Sequence, residues 1–290
     1  LALETYLMEH VQLDEPILYF YINSPCIILG RNQDAYEEVN LDYVREHNII
    51  VTRRTSGGGA VFDDLGNVSF SFITKDDGHS NGNFAKFTNP VIEALHEMGA
   101  TKAELSGRND LQIEGKKFSG NAMRIAHGRM FSHGTLMYDV DLDVIGHALN
   151  VPKDKIESKG IKSVHSRVTN LKPHFTPAYQ HLTIEEFRDT LAKKILGVSD
   201  LADAKEYVLS DEDKAAVAKI NAEIFSNWDF VYGKSPKAAI QHRQHFDQGT
   251  VDFRLQIEGG KIAYLKVYGD FLGQEDVRDF EQRLLGVRYD

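Results

Sequence analysis

Residues 53–72 read RRTSGGGAVFDDLGNVSFSF, and the rest of the chain is best read outward from them. Three adjacent glycines, Gly57, Gly58 and Gly59, free the backbone to take positive φ angles and to bring N–H groups close to a ligand. Arg53 and Arg54 stand beside them with charge that phosphate or carboxylate oxygens can share. The pattern is not a P-loop, because no Lys-Ser or Lys-Thr follows the glycines, and it does not match G-x-G-x-x-G. Taken alone, it also fits a flexible turn with two solvated arginines.

On either side the pattern is extended. Residues 26–30 are short and apolar, as in a buried strand, and end in a Gly-Arg-Asn turn signal. Residues 49–53 make a second strand, extended structure resumes at residues 60–62, and residues 63–67 turn the chain. Val68, Phe70 and Phe72 then alternate with Ser69 and Ser71, the period-two pattern of a half-buried strand. The unit is expected to be hairpin-like, with the glycine loop at its entrance.

Helices are marked by their caps. Asn89-Pro90 is expected to open one, carrying Val91, Leu95 and Met98 and ending at Gly99. Thr183 and Glu186 form a capping-box pattern ahead of Phe187, Leu191 and Ile195, with Gly197 as the stop. Ser210 and Asp213 begin another, with Val217, Ile220 and Ile224. A linker is expected at residues 232–236. Beyond it Val251, Phe253, Leu255 and Ile257 alternate, Gly259-Gly260 turns, residues 262–267 continue the pattern, and residues 274–285 read as a helix. The expected division is a domain over residues 1–236 and a small α+β domain over residues 244–290.

Composition bounds the function. A formal charge of -10 disfavours a nucleic-acid binder, so any phosphate chemistry needs a locally cationic site on an acidic body. No apolar run is long enough to span a bilayer, and the first residues lack the layout of a signal peptide. The single cysteine, Cys26, rules out an intramolecular disulfide framework and suits a reducing cytoplasm. A start at Leu1, without methionine and inside a helical pattern, reads as trimmed, and the same is expected beyond Asp290.

Two further segments carry candidate chemistry. In residues 107–122, Asp110 could receive Mg²⁺ or ribose hydroxyls, and Ser119-Gly120 permits close backbone approach. Lys117 follows a Glu-Gly turn, where its ammonium could bridge a carboxylate and a phosphate or simply be an exposed hairpin lysine. In residues 132–136, His133 is open to a base, a ligand or a framework role. No second histidine stands at H-E-x-x-H spacing and there is no Cys-x-x-Cys, so a structural metal is disfavoured.

The segments RRTSGGGAVF, DLGNVSFSF, GRNDL, GKKFSGNA, SHGTL and KSVHSRVTNL, with CIILGRNQ before them and YGKSP after them, occur in one order. Together they resemble the lipoate–protein ligase family over nearly the whole chain. The resemblance implies an α+β fold: a large mixed, mainly antiparallel sheet domain flanked by helices, related to biotin–protein ligases and class II synthetases, plus a small C-terminal domain. It implies ATP, Mg²⁺ and lipoic acid as cofactor and substrates. The acceptors it implies are lipoyl domains of 2-oxoacid dehydrogenase complexes or the glycine-cleavage H protein.

Carried over by position, Lys117 is the catalytic residue at the junction of lipoyl carbonyl and phosphate. The implied ATP- and lipoyl-AMP-binding set is Arg54, Ser56, Gly57, Gly58, Gly59, Ala60, Val61, Phe62, Asn67, Asp110, Lys117, Ser119, Gly120, Ala122 and His133, with Asp110 as the Mg²⁺ contact. His165 departs from the arginine that relatives often carry there. The lipoyl tail calls for an apolar tunnel, with Val61, Phe62 and Phe72 as candidates. The competing readings are an ATP-independent octanoyl or lipoyl transferase, which would need a reactive thiol, biotin ligation, and a non-catalytic paralogue that only binds lipoyl domains.

Overall fold

The computed structural model describes residues 1–150, 167–232, 240–258, 261–273 and 276–287. The chain opens with helix α1 (Ala2–His10), then strands β1 (Ile17–Tyr21) and β2 (Cys26–Leu29). Helices α2 (Ala35–Glu38) and α3 (Leu41–Glu46) lead to β3 (Ile50–Arg53), β4 (Val61–Asp63) and β5 (Asn67–Lys75). Helix α4 (Phe84–Glu97) precedes four strands: β6 (Ala103–Ser106), β7 (Asp110–Ile113), β8 (Lys116–Ala126) and β9 (Arg129–Met137). Helices α5 (Leu142–Ala148), α6 (Ile184–Leu196), α7 (Asp211–Ile220) and α8 (Trp228–Val231) follow. The chain closes with β10 (Ile240–Phe246), β11 (Gly249–Glu258), β12 (Lys261–Gly269) and α9 (Val277–Leu284).

A six-stranded sheet, ordered β1-β5-β9-β8-β7-β6, is antiparallel throughout. One face packs Val68, Phe70, Leu111, Phe118 and Leu136 against Val91, Leu95 and Met98 of α4 and Phe187 and Leu191 of α6. The other face is covered by α1, through Leu7 and Met8, and by a three-stranded sheet ordered β3-β2-β4. In that small sheet β2 runs parallel to β3 and antiparallel to β4. The two sheets together give the mixed, mainly antiparallel pattern; the parallel pair is confined to the smaller one.

Two expectations for the glycine segment are corrected here. β4 and β5 do not form a hairpin: the turn at residues 63–67 hands the chain from the small sheet to the large one. Nor is β5 half-buried, since Ser69 and Ser71 are as buried as Val68 and Phe70. Both hydroxyls face α1 and the small sheet and donate there, Ser71 Oγ to Glu4 Oε1 at 2.7 Å and Ser69 Oγ to Asp63 Oδ2 at 3.3 Å. The alternation is real, but its polar face meets a polar interior rather than water.

Helix α4 also begins earlier than expected, at Phe84, with Asn83 accepting from the Lys86 N–H. Pro90 lies inside it, tolerated because Phe84, Phe87 and Val91 anchor one buried face across the proline. The capping boxes at Thr183 and Ser210 are present, and Gly197 ends α6 in the left-handed region at φ 67°. The helix expected at residues 274–285 is α9, opened by Asp276.

At the C-terminal end, β10-β11-β12 and α9 enclose their own core of Leu255, Ile262, Leu265 and Val267. The sheet begins at Ile240, paired with Leu255, four positions ahead of the expected start. It is held to the larger unit by ion pairs from Arg254 to Asp34 at 3.1 Å and from Arg31 to Asp276 at 2.6 Å. Most of the expected linker lies outside the described residues.

Candidate active site

The two arginines that open the glycine loop are turned inward. Arg54 is 6% exposed. Its guanidinium donates to the carbonyls of Ile28 (3.1 Å), Gly57 (2.7 Å) and Gly59 (2.8 Å) and to Ser56 Oγ (3.1 Å). Arg53 donates in the same way to the carbonyls of Gly30 (2.9 Å), Gln33 (2.6 Å) and Val231 (2.7 Å). Burial pushes each guanidinium down to about 10, so both remain charged at neutral pH. The expectation that these charges face a ligand is therefore revised: they neutralise carbonyls and set the shape of the loop. Gly58 needs its φ of 94°, and its carbonyl sits 1.8 Å from where a side chain at Gly30 would begin.

From the loop a polar chain descends to the sheet. Ser56 Oγ is 2.9 Å from His133 Nε2 on β9, and His133 Nδ1 is 2.8 Å from Glu4 Oε1 on α1. Burial desolvates Glu4 and pushes its carboxyl up, but His133 and the Ser71 hydroxyl outweigh that and hold it below its ordinary value. His133 thus sits in a hydrogen-bonded framework. Glu4 was missed in the sequence, although an acid between Leu3 and the buried pair Leu7 and Met8 is the signal that could have found it.

His133 is paired across the sheet with Ala122, and Gly120 lies two residues along β8 on the same face, about 7 Å away. Lys117 follows on that face, its Nζ 2.8 Å from Asp110 Oδ1 on β7, both side chains less than half exposed. The backbone of Lys117 is clamped, taking an N–H bond from Thr169 and giving one to Arg167 O, each at 2.9 Å. The ammonium lies across Gly120, 3.0 Å from where a side chain there would begin. Ser56, His133, Ala122, Gly120, Lys117 and Asp110 therefore form one strip on one face of the sheet.

Gly120→Ala is expected to push the flexible lysine arm aside and lower the adenylation that the family resemblance implies about 10- to 100-fold, with thermal stability nearly unchanged. Lipoate-dependent pyrophosphate release and a melting curve on the same sample check this; unaltered release would show that the arm's position does not matter.

Other expected residues divide. Asn67 shares the site face but is buried, its Nδ2 donating to Ser69 Oγ at 3.0 Å. Ser119 points to the opposite, core face, where it accepts from Asn121 Nδ2 at 3.2 Å, so its side chain is not available to this site. Phe62 belongs to the core beneath the small sheet with Ile27 and Leu29, and Phe72 packs against the core under α4. They do not line one tunnel with each other. Val61 and Ala60 are half-buried at the loop's exit. His165 and its neighbours at residues 159–166 lie outside the described residues.

Two cations that were not singled out face the open space beside the loop. Arg31 and Arg124 border a cleft of about 350 Å³ with Thr55, Ser56, Gly57, Met123 and Ile125. Each is about one-quarter exposed, Arg31 leaning on Asp276 at 2.6 Å and Arg124 on Glu9 at 3.9 Å. The Phe271 carbonyl and Leu272 of the C-terminal unit reach the glycines themselves, Gly58 N–H donating to Phe271 O at 3.4 Å. Cys26 lies buried on β2, where burial drives its thiol far up, so it is no nucleophile at neutral pH.

Asp63, fully buried beside the strip, has its Oδ1 unpartnered among the described residues. Desolvation, partly offset by Asn23 and Ser69, pushes its carboxyl up to about 6. A raised acid favours the fold while protonated: that contribution is complete below the ordinary carboxylate range and is lost as pH rises through about 6. Asp63→Asn should therefore raise the melting temperature at pH 8, by a stability gain of up to about 3 kcal/mol, and the gain should vanish near pH 4. Melting curves across that range check it; a destabilised variant at pH 8 would contradict the assignment.

Comparison with known proteins bears on all of this. The family model described as lipoyl protein ligase A/B catalytic domain matches residues 1–196, and that of the bacterial lipoate protein ligase C-terminus matches residues 235–290. A lipoate–protein ligase of Bacillus subtilis (strain 168) is 49% identical over 290 residues, covering 100% of this chain and 86% of that protein. A P. falciparum protein solved in complex with lipoate superposes with a TM-score of 0.80 at 24% identity, covering 100% of this chain and 87% of the other. The bipartite lipoate protein ligase of Thermoplasma acidophilum, studied with its E2 lipoyl domain, gives a TM-score of 0.68 at 28% identity, covering 82% and 92%.

Proposed function

Because the chain belongs to the lipoate–protein ligase family, we propose that it activates lipoate with ATP and transfers the lipoyl group to a lysine of an acceptor protein. The observation that carries the mechanism is the placement of the Lys117 ammonium and the glycine loop on one face of the large sheet. Residues 1–236 are taken as the catalytic domain and residues 244–290 as its accessory.

A carboxylate is a poor electrophile, because its charge repels a nucleophile. In the first step a lipoate oxygen attacks the α-phosphorus of ATP, a C(O)–O–P link forms and pyrophosphate leaves. Two anions must be brought together, so the site needs fixed positive charge and N–H donors aimed at the reacting oxygens. Lys117 is held on a clamped backbone with, among the described residues, the Asp110 carboxylate as its ion-pair partner, ready to exchange Asp110 for the lipoate carboxyl and α-phosphate. Arg54 grips the carbonyls of Gly57 and Gly59, and Phe271 O takes the Gly58 N–H, so the loop's remaining N–H groups are the ones that would meet the nucleotide. In the second step the acceptor ε-amine attacks the lipoyl carbonyl, the C–O bond to AMP breaks and the amine gives up a proton. Lys117 stabilises the oxyanion in between.

Magnesium would come with the nucleotide. Among the described residues no group of three His, Cys, Asp or Glu side chains could hold a metal, while Asp110 is a single partly exposed carboxylate beside Lys117. That donor set fits an ion borne mainly by phosphates and waters, with Asp110 as its one protein ligand. When bound, it would neutralise phosphate charge.

The acceptors that suit this chemistry are lipoyl domains of 2-oxoacid dehydrogenase complexes or the glycine-cleavage H protein, met in the cytoplasm. No helix of the described residues is long and apolar enough to cross a membrane. The buried, protonated thiol of Cys26 weighs against the thiol-dependent transferase. Pyrophosphate release with lipoate, octanoate or biotin as the acid tests the reading. Lipoate-dependent release is expected; acceptor binding without release would identify a non-catalytic binder.

A further inference from the structure

Ligation as described leaves one set of buried groups unused: the side chains of Ser56, His133 and Glu4. Ser56 Oγ to His133 Nε2 is 2.9 Å, and His133 Nδ1 lies 2.8 and 3.1 Å from the two Glu4 oxygens. The three come from the glycine loop, β9 and α1, and their exposures are 1%, 6% and 2%. An ionised Glu4 can only accept, which places a proton on His133 Nδ1. Whenever Nε2 carries no proton it accepts from the Ser56 hydroxyl, and Arg54 Nε donates to the same oxygen at 3.1 Å.

This is the arrangement of nucleophile, base and orienting acid, reached on an unrelated fold and recognised by geometry rather than by sequence order. Two more features complete it. Ser56 borders the cleft beside Arg124 and Met123. The N–H group of Gly57, the residue after the serine and one that borders the same cleft, has no hydrogen-bond partner among the described residues, which makes it the donor for a developing oxyanion.

We propose that Ser56 is a nucleophile and that the protein carries an ATP-independent acyl-transfer activity toward activated esters of medium-length apolar acids. The acid class rests on the ligase reading; the nucleophile does not. Ser56 Oγ would bond to the acyl carbon, its proton passing to His133 Nε2 and from there to the alcohol or phenol, which departs with the pair of the broken C–O bond and leaves His133 free to act again as base. Water would then attack the seryl ester, giving a proton to His133, which returns it to Ser56 as the acid leaves. No redox partner is required.

The test uses the full chain without ATP and p-nitrophenyl octanoate as the probe. A burst of p-nitrophenolate equal to the enzyme present, with an octanoyl adduct on the peptide containing Ser56, is the expected result. Glu4→Gln should slow the burst about 10²- to 10⁴-fold, and Ser56→Ala should abolish the adduct. No burst from wild-type protein, or an adduct only on another residue, overturns the proposal and leaves these bonds a clamp on the loop. This decision needs no folded variant, since it is read from wild-type protein. Lipoate-dependent pyrophosphate release from the same sample separates the two readings: release without a burst removes only the nucleophile, and a burst without release removes only the ligase.

Discussion

Lys117→Ala is expected to lower lipoyl-AMP formation by about 10³-fold or more and to leave the fold intact. The two parts follow from different observations. Among the described residues the ammonium is the one cation on the strip that joins the glycine loop to β7, and its backbone is held on both sides by residues 167 and 169. Removing it leaves the lipoate carboxylate and the α-phosphate to repel each other without a bridge. The same side chain is only half-buried and pairs with a half-exposed Asp110, a contact worth about 1 kcal/mol at most. The melting temperature should therefore fall by no more than about 4 °C. Pyrophosphate release and a melting curve on one preparation check both halves, and near-normal release from a folded variant would remove Lys117 from the chemistry.

Arg54→Lys has the opposite profile. If Arg54 met phosphate as a charge, lysine would retain much of its effect. Its guanidinium instead spreads bonds over three carbonyls and the Ser56 hydroxyl, a fork that an ammonium on a flexible stem does not reproduce. Losing two such bonds inside a buried loop should cost about 3 kcal/mol and lower the melting temperature by about 6–12 °C. Adenylation should fall with it, because the loop's N–H groups lose their fixed direction. Thermal unfolding decides the matter: a lysine variant as stable as wild type but defective with ATP would return Arg54 to a direct role at phosphate.

The contrast between these residues shows what could be read from the chain alone. Local signals were legible. The capping boxes at Thr183 and Ser210, the turn at Gly197 and the β11–β12 alternation each depend on residues a few positions apart. The glycine loop, the lysine and the histidine were also named from the sequence, and the fold places them on one face of the large sheet. What could not be read was direction. Arg53 and Arg54 announce charge, but whether it points to solvent, to ligand or to carbonyls depends on Gly30, Gln33 and Val231 closing around them. Ser69 and Ser71 looked solvated because nothing nearby in sequence shows that α1 and the small sheet will cover them. Glu4 reaches His133 across 129 positions, and Arg31 and Arg124 meet at the cleft only once the sheets have packed. Pro90 misled in the other direction, since the run of Phe84, Phe87, Val91 and Leu95 already carried the helix through it.

The most direct test is a crystal structure of the full chain with a non-hydrolysable lipoyl-adenylate, a sulfamoyl analogue. The account predicts that Lys117 Nζ will have left Asp110 to lie about 3 Å from both the acyl oxygen and the sulfamoyl oxygens, with loop N–H groups of residues 57–62 on the nucleotide. An analogue seated elsewhere, with Lys117 still paired to Asp110, would contradict it.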